Sequence, residues 1–237
     1  MAIAIVRFPG SNCDTDTLWA FGDVLGAEVR SLSHTATDLS GVDAVVVPGG
    51  FSYGDYLRSG ALAARSPVMT AVRAFARHGG PVLGICNGFQ VLTESGLLPG
   101  ALARNDRLHF VCHDVHVRVE RAAAPFTRRC FRGDVLRLPV AHHDGRYVAD
   151  DELLRRLEGE GRIAFRYVHA DGRRDQAANP NGSDGDVAGV VNERGNVLGM
   201  MPHPERASDP LVGGDDGIAI LGSLVDAVAG AAAEATA

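Results

Sequence analysis

Cys86 stands in Pro81-Val-Leu-Gly84-Ile-Cys86-Asn-Gly88-Phe-Gln90, a short apolar run that ends in Gly-x-Cys-x-Gly and continues at helical spacing. A thiol that attacks a carbonyl carbon needs an exposed tip and nearby backbone N–H groups. A sharp strand-to-helix turn supplies both, and flanking glycines let the chain turn with no Cβ in the way. A helix starting here also points its positive end at the sulfur, which favours an anion. Such a nucleophile needs a base, and His203-Pro-Glu205 offers one. In extended chain, residues i and i+2 project to the same side. The Glu205 carboxylate can therefore hold one imidazole nitrogen and leave the other facing the thiol. Pro202 and Pro204 restrict the backbone on both sides of the ring.

Plainer readings compete with these. A free cysteine is most often a buried small hydrophobe, and a lone His-x-Glu is weak evidence. It is the combination of the glycine-flanked Cys86 with the distal His203 and Glu205 that favours chemistry. Gly49-Gly50-Phe51 could be a simple turn, or a close backbone approach to a substrate. In the second case a Gly50 or Phe51 N–H, with the Asn87 N–H, would form an oxyanion hole. Cys112, Asp114 and His116 alternate along one stretch, and His142-His143-Asp144 form another cluster. Neither has a recognised zinc spacing, so no metal is expected. Arg128, Arg129 and Arg132 read as a solvated or partner-facing surface. There is no phosphate-binding loop and no dinucleotide fingerprint.

The elements that must position these residues follow from periodicity. Residues 2–8 read as a buried first strand ended by Pro9-Gly10. Leu18, Phe21, Val24 and Leu25 recur at helical spacing after Asp14 or Thr15. Further strands are expected at 27–32 and 42–47. Ser66-Pro67 reads as a helix N-cap and first position, with Val68, Met69, Val72, Phe75 and Ala76 as its apolar face. Gly79-Gly80 closes that helix and 81–85 is the fourth strand. The strand–helix alternation of the first 95 residues argues for a parallel, doubly wound sheet. Beyond Gly100 the pattern changes: 108–120 alternates apolar and polar as a half-exposed strand does, 135–140 and 162–167 are further strand candidates, and Leu153, Leu154 and Leu157 suggest a short helix. Residues 186–192 and 196–201 read as a hairpin. A helix through Ile218, Leu221, Leu224, Val225 and Val228 closes the chain, and 230–237 is expected to fray. The fold class expected is thus α/β, flavodoxin-like, with a mostly parallel sheet, helices on both faces and an added antiparallel portion, in one domain spanning 1–237. In such sheets ligands bind outside the carboxyl ends of the strands. Gly50, Cys86 and His203 all follow strands there.

The 237 residues suffice for one core, with 46% hydrophobic content. A formal net charge of −6, and no long basic run, argue against a nucleic-acid partner. All 23 basic residues are arginine, so no lysine serves as a Schiff base. The four cysteines show no paired spacing. No apolar stretch reaches membrane-spanning length, and no signal peptide precedes the first strand. The expectation is a cytoplasmic protein with free thiols and no membrane partner.

Gly84-Ile-Cys86-Asn-Gly88-Phe-Gln90 with His203-Pro-Glu205 resembles the class I (triad) glutamine amidotransferases. Residues 7–14, 48–58, 179–183 and 199–206 are similar to one branch, the small glutaminase subunits that serve purine biosynthesis. One departure is His143-Asp144-Gly145, where a Gly-Glu-Gly-like stretch is expected. The resemblance implies a Cys86–His203–Glu205 triad that hydrolyses glutamine to glutamate and ammonia through a glutamyl thioester. It also implies that Gln90 lies near the substrate, and that no cofactor binds this chain. ATP and Mg are implied on a large synthetase partner that makes formylglycinamidine ribonucleotide from the ammonia, with a small accessory subunit in the complex. Alternatives are a glutaminase for another synthetase, or a non-catalytic regulatory subunit of the same fold. Small peptidase or deglycase proteins share the cysteine turn but not the distal His-Pro-Glu.

Overall fold

In the computed structural model, which describes residues 2–122 and 125–235, the chain begins with β1 (Ala2–Arg7), α1 (Asp14–Trp19), β2 (Glu28–Ser33), β3 (Ala44–Val47), α2 (Pro67–Arg77), β4 (Val82–Ile85) and α3 (Asn87–Glu94). It continues with β5 (Ala101–Ala103), β6 (Val111–Val119), β7 (Val135–His142), β8 (Arg146–Val148), α4 (Asp151–Gly159), β9 (Ile163–Val168), β10 (Val187–Val191), β11 (Val197–Met200) and α5 (Gly217–Ala235).

Nine strands form one sheet in the order β2-β1-β3-β4-β11-β10-β9-β6-β7, and β5 pairs with β8 apart from it. Neighbours from β2 to β11 are parallel. From β11 to β7 they are antiparallel. The expected β10–β11 hairpin forms, and β11 also runs parallel to β4, which joins the two halves. β3, β4 and β11 are buried along their whole length, as is β1 up to Arg7. Continuous apolar strands of this kind bury only when both sheet faces are covered. β2, at the edge, is half exposed.

Local details depart from the expected reading. Helix α1 widens into a π turn over Ala20–Val24, which still buries Phe21. Ser66 takes the N-cap position of α2, but its hydroxyl does not cap the helix. It meets the Tyr53 hydroxyl at 3.0 Å instead. Asp150 does cap α4, accepting from the Leu153 N–H at 2.8 Å. The alanine-rich tail does not end the helix at Gly230, because α5 runs to Ala235. The last two residues of the tail reading lie outside the described residues.

Candidate active site

β1, β3, β4 and β11 lie side by side, so the loops after their carboxyl ends converge. Those loops carry Cys13, Gly49-Gly50, Cys86 and His203. This is the edge where an open parallel sheet binds ligands, next to the point at which strand order reverses between β1 and β3.

Cys86 sits at the N-cap of α3 with φ 51° and ψ −106°. A non-glycine residue held there is strained, and the surroundings must over-determine it. Its N–H donates to the Met200 carbonyl at 2.8 Å. The neighbouring glycines play a different part from the one expected. Neither has a positive φ. A Cβ on Gly88 would run into the Val47 carbonyl, and one on Gly84 would meet the Gly88 carbonyl at 2.8 Å. Bare glycine lets α3 press onto β3 and β4, and Cys86 itself takes the turn.

The backbone N–H of His203 donates to the Pro139 carbonyl of β7 at 2.8 Å. Its Nδ1 lies 2.6 Å from Glu205 Oε1. Both side chains are buried. Burial alone would pull the imidazolium down. The Glu205 carboxylate, then the Cys86 thiol, outweigh it and hold His203 well above the ordinary histidine value. His203 Nε2 is buried with no hydrogen-bond partner among the described residues, and Nδ1 is taken by Glu205. Nε2 is thus the nitrogen left for Cys86.

The oxyanion candidates separate. The Phe51 N–H is committed to the Gly10 carbonyl at 2.9 Å, which leaves Gly50 and Asn87 as donors. Gly50 has φ +147°, and a Cβ there would lie 2.8 Å from both the Asn12 nitrogen and the Ser11 Cα. Only glycine fits. Phe51 instead lines the mouth of a cavity of about 140 Å³, with Cys86, His203, Gly50 and Phe110. Asn87 and Gln90 point into a buried polar lattice. The Asn87 amide donates to Gln90 Oε1 at 2.8 Å and accepts from the Ser52 N–H at 3.1 Å. Gln90 Nε2 donates to the Asp144 carbonyl at 2.7 Å. Asp55, half-buried beside this lattice, is pushed up to about 6 by burial and by the Asp144 charge.

The metal candidates from the sequence do not assemble. Asp114 is drawn to Arg137. His142 and His143 diverge: His142 is buried with Nδ1 on Asn105 Oδ1 at 3.1 Å, and His143 turns to Asp144 at 3.2 Å. Burial, then the nearby His203 charge, pushes His142 down to about 3. Arg129 makes an ion pair with Asp226 at 2.6 Å, which ties that arginine to α5. Cys13, expected in the first loop near this sheet edge with its role open, and Arg206, which was not singled out from sequence, both line the same cavity. The available signal was the position of Cys13 just after a strand.

The chain is similar to several known proteins. Residues 1–213 match the model of the CobB/CobQ-like glutamine amidotransferase domain. Phosphoribosylformylglycinamidine synthase subunit PurQ of Thermus thermophilus is 59% identical over 229 residues, which cover 97% of this chain and all of that one. The subunit of the same name from Rhodopseudomonas palustris is 56% identical over 233 residues, covering 98% of this chain and all of its own. A chain of the PurLQS structure from Thermotoga maritima superposes with a TM-score of 0.84 at 41% identity, covering 95% of this chain and 97% of that chain.

Proposed function

This chain belongs to the CobB/CobQ-like glutamine amidotransferase family, and on that footing we propose that Cys86, His203 and Glu205 are its catalytic triad. The chain is the glutamine amidotransferase component of a phosphoribosylformylglycinamidine synthase, acting in purine biosynthesis. The observation that carries the triad reading is the buried His203–Glu205 pair at 2.6 Å, set beside a thiol on a strained strand-to-helix turn.

In the proposed reaction the Cys86 thiolate attacks the side-chain amide carbon of glutamine. The Gly50 and Asn87 N–H groups receive the developing oxyanion. Imidazolium His203, held by Glu205, gives its proton to the departing ammonia, and a glutamyl thioester remains on Cys86. Neutral His203 then takes a proton from water, which attacks the thioester and releases glutamate. Gln90 and Asn87 shape the substrate side through their buried lattice.

The chain works as a subunit of the synthase complex. We propose further that its ammonia passes to a large synthetase subunit, which carries ATP and Mg, with a small accessory subunit present. Ammonia in bulk water would protonate and lose its nucleophilicity, so the two sites must be coupled. The isolated chain is expected to hydrolyse glutamine slowly and the complex much faster. Among the described residues no helix is long and apolar enough to cross a membrane, and we propose a cytoplasmic location.

The test is covalent labelling with a glutamine analogue carrying an electrophile, followed by peptide mass spectrometry. Label is expected on Cys86. Label confined to Cys13, Cys112 or Cys130 would overturn the triad.

A further inference from the structure

Cys13 is a buried thiol in the first loop, and its role is open from sequence. Its backbone is locked at the head of α1. Its N–H donates to the Gly49 carbonyl at 3.3 Å, and its carbonyl accepts from the Thr17 hydroxyl at 2.7 Å. The side chain is buried and uses both hydrogen-bonding faces of the sulfur. The Sγ–H donates to Asn12 Oδ1 at 3.3 Å, and the sulfur accepts from Arg206 Nη2 at 3.2 Å. Arg206 is held in turn by Asp16, at 3.0 Å from its Nε.

The sulfur and the catalytic imidazole share one wall. A Cβ built on Gly49 would lie 2.7 Å from His203 Cε1 and 3.1 Å from Cys13 Sγ. Cys13 Sγ, a His203 nitrogen and a Glu205 carboxylate oxygen lie within 4.8 Å of one another. Three such groups could suggest a metal ion. The Arg206 guanidinium on the same sulfur already places a cation there, and a second one would be repelled. A network of hydrogen bonds satisfies the same atoms without that cost.

We propose that Cys13 is a positioning residue for the His203–Glu205 pair. The thiol, oriented by Arg206 and Asn12, fixes the plane of the imidazole against Gly49. Nδ1 then stays on Glu205 and Nε2 stays free for Cys86. The proposal rests on the triad reading above. It adds that a polar atom able to donate and accept is needed at position 13, and that a side chain of the right volume alone does not suffice. Serine preserves both hydrogen bonds, valine preserves the volume and neither bond, and alanine preserves nothing.

The test uses the chain in its complex with the synthetase and accessory subunits. Glutamine-dependent and ammonia-dependent synthesis are measured for Cys13→Ala, Cys13→Ser and Cys13→Val. Cys13→Ala is expected to lower kcat with glutamine by about tenfold or more, with KM changed by less than about twofold. Because Glu205 holds His203 protonated, loosening that pair should also move the alkaline limb of kcat/KM to lower pH. Cys13→Ser should recover kcat to within about threefold of the parent and restore the pH limb, and Cys13→Val should do neither. Ammonia-dependent synthesis reports assembly and should persist in all three. The proposal is overturned if Cys13→Ala keeps kcat and the pH limb, or if Cys13→Val recovers as well as Cys13→Ser. Failure of the parent complex to use glutamine at all would instead sink the triad reading.

Discussion

Two buried histidines, one from each half of the sheet, stand at the candidate active site in opposite states. His203 follows β11 at the end of the parallel half, and His142 closes β7 in the antiparallel half. Both side chains lose nearly all contact with water, so desolvation pulls both toward neutrality. His203 has a carboxylate at 2.6 Å and is held as the cation. His142 has an amide oxygen at 3.1 Å, which offers a dipole but no charge, and it stays neutral down to about pH 3. The partner, and not the depth of burial, decides which imidazole can carry a proton to a leaving group.

The same contrast runs through the two halves. The parallel half contributes the groups of the proposed triad. The antiparallel half and the loop after it contribute carbonyls that hold those groups in place. Pro139 accepts the backbone N–H of His203, the Asp144 carbonyl accepts the Gln90 amide, and the Ala141 carbonyl lies 3.7 Å from the Cys86 sulfur. Pro139 lacks an N–H and sits on an edge strand, where the sheet does not miss it.

The contrast is easiest to break through activity. His203→Ala and Cys86→Ala should each lower glutamine-dependent synthesis by about 10³-fold or more, with ammonia-dependent synthesis intact. His142→Asn keeps a donor toward Asn105 and should cost less than about tenfold in the same assay. If His142→Asn were as damaging as His203→Ala, the assignment of the two histidines would be wrong. Glu205→Gln comes next. It removes the charge and keeps the shape, and should cost about 10²-fold, less than loss of the imidazole. It should also draw the pH dependence of kcat/KM downward, because nothing then offsets burial at His203. An unchanged pH profile would mean that Glu205 does not set the charge of the ring.

The smallest effects are in stability. His142 has a folded pKa below its unfolded value. Its contribution is therefore complete above about pH 6.5 and is lost as pH falls toward about 3. The loss is at most about 1.4 kcal/mol per pH unit. His203 behaves oppositely. Its raised pKa contributes fully below about pH 6.5 and is lost as pH rises through the folded value. Urea denaturation across pH 4–7 should show a shallower acid slope for His142→Asn than for the parent. Equal slopes would show that His142 is not the group taking up protons on acid unfolding.

Much of this site is legible along the chain. Cys86 is flanked by glycines, Glu205 stands two residues from His203, and Gly50 follows a strand. These are local patterns, set by spacing and backbone freedom, and the parallel core follows from strand–helix alternation in the same way. The antiparallel second half is legible in part, since β6 and β7 alternate buried and more exposed positions, whereas β9 and β10 are buried throughout. Tertiary structure decided which donors remain free and which histidine is charged. Phe51 spends its N–H on Gly10 because the first loop folds back beside β3. Cys13 meets His203, 190 residues away, because β1 and β11 end at the same edge of one sheet. Charge, burial and hydrogen-bond partners are properties of neighbours in space, and a linear pattern states them only where those neighbours are also close along the chain.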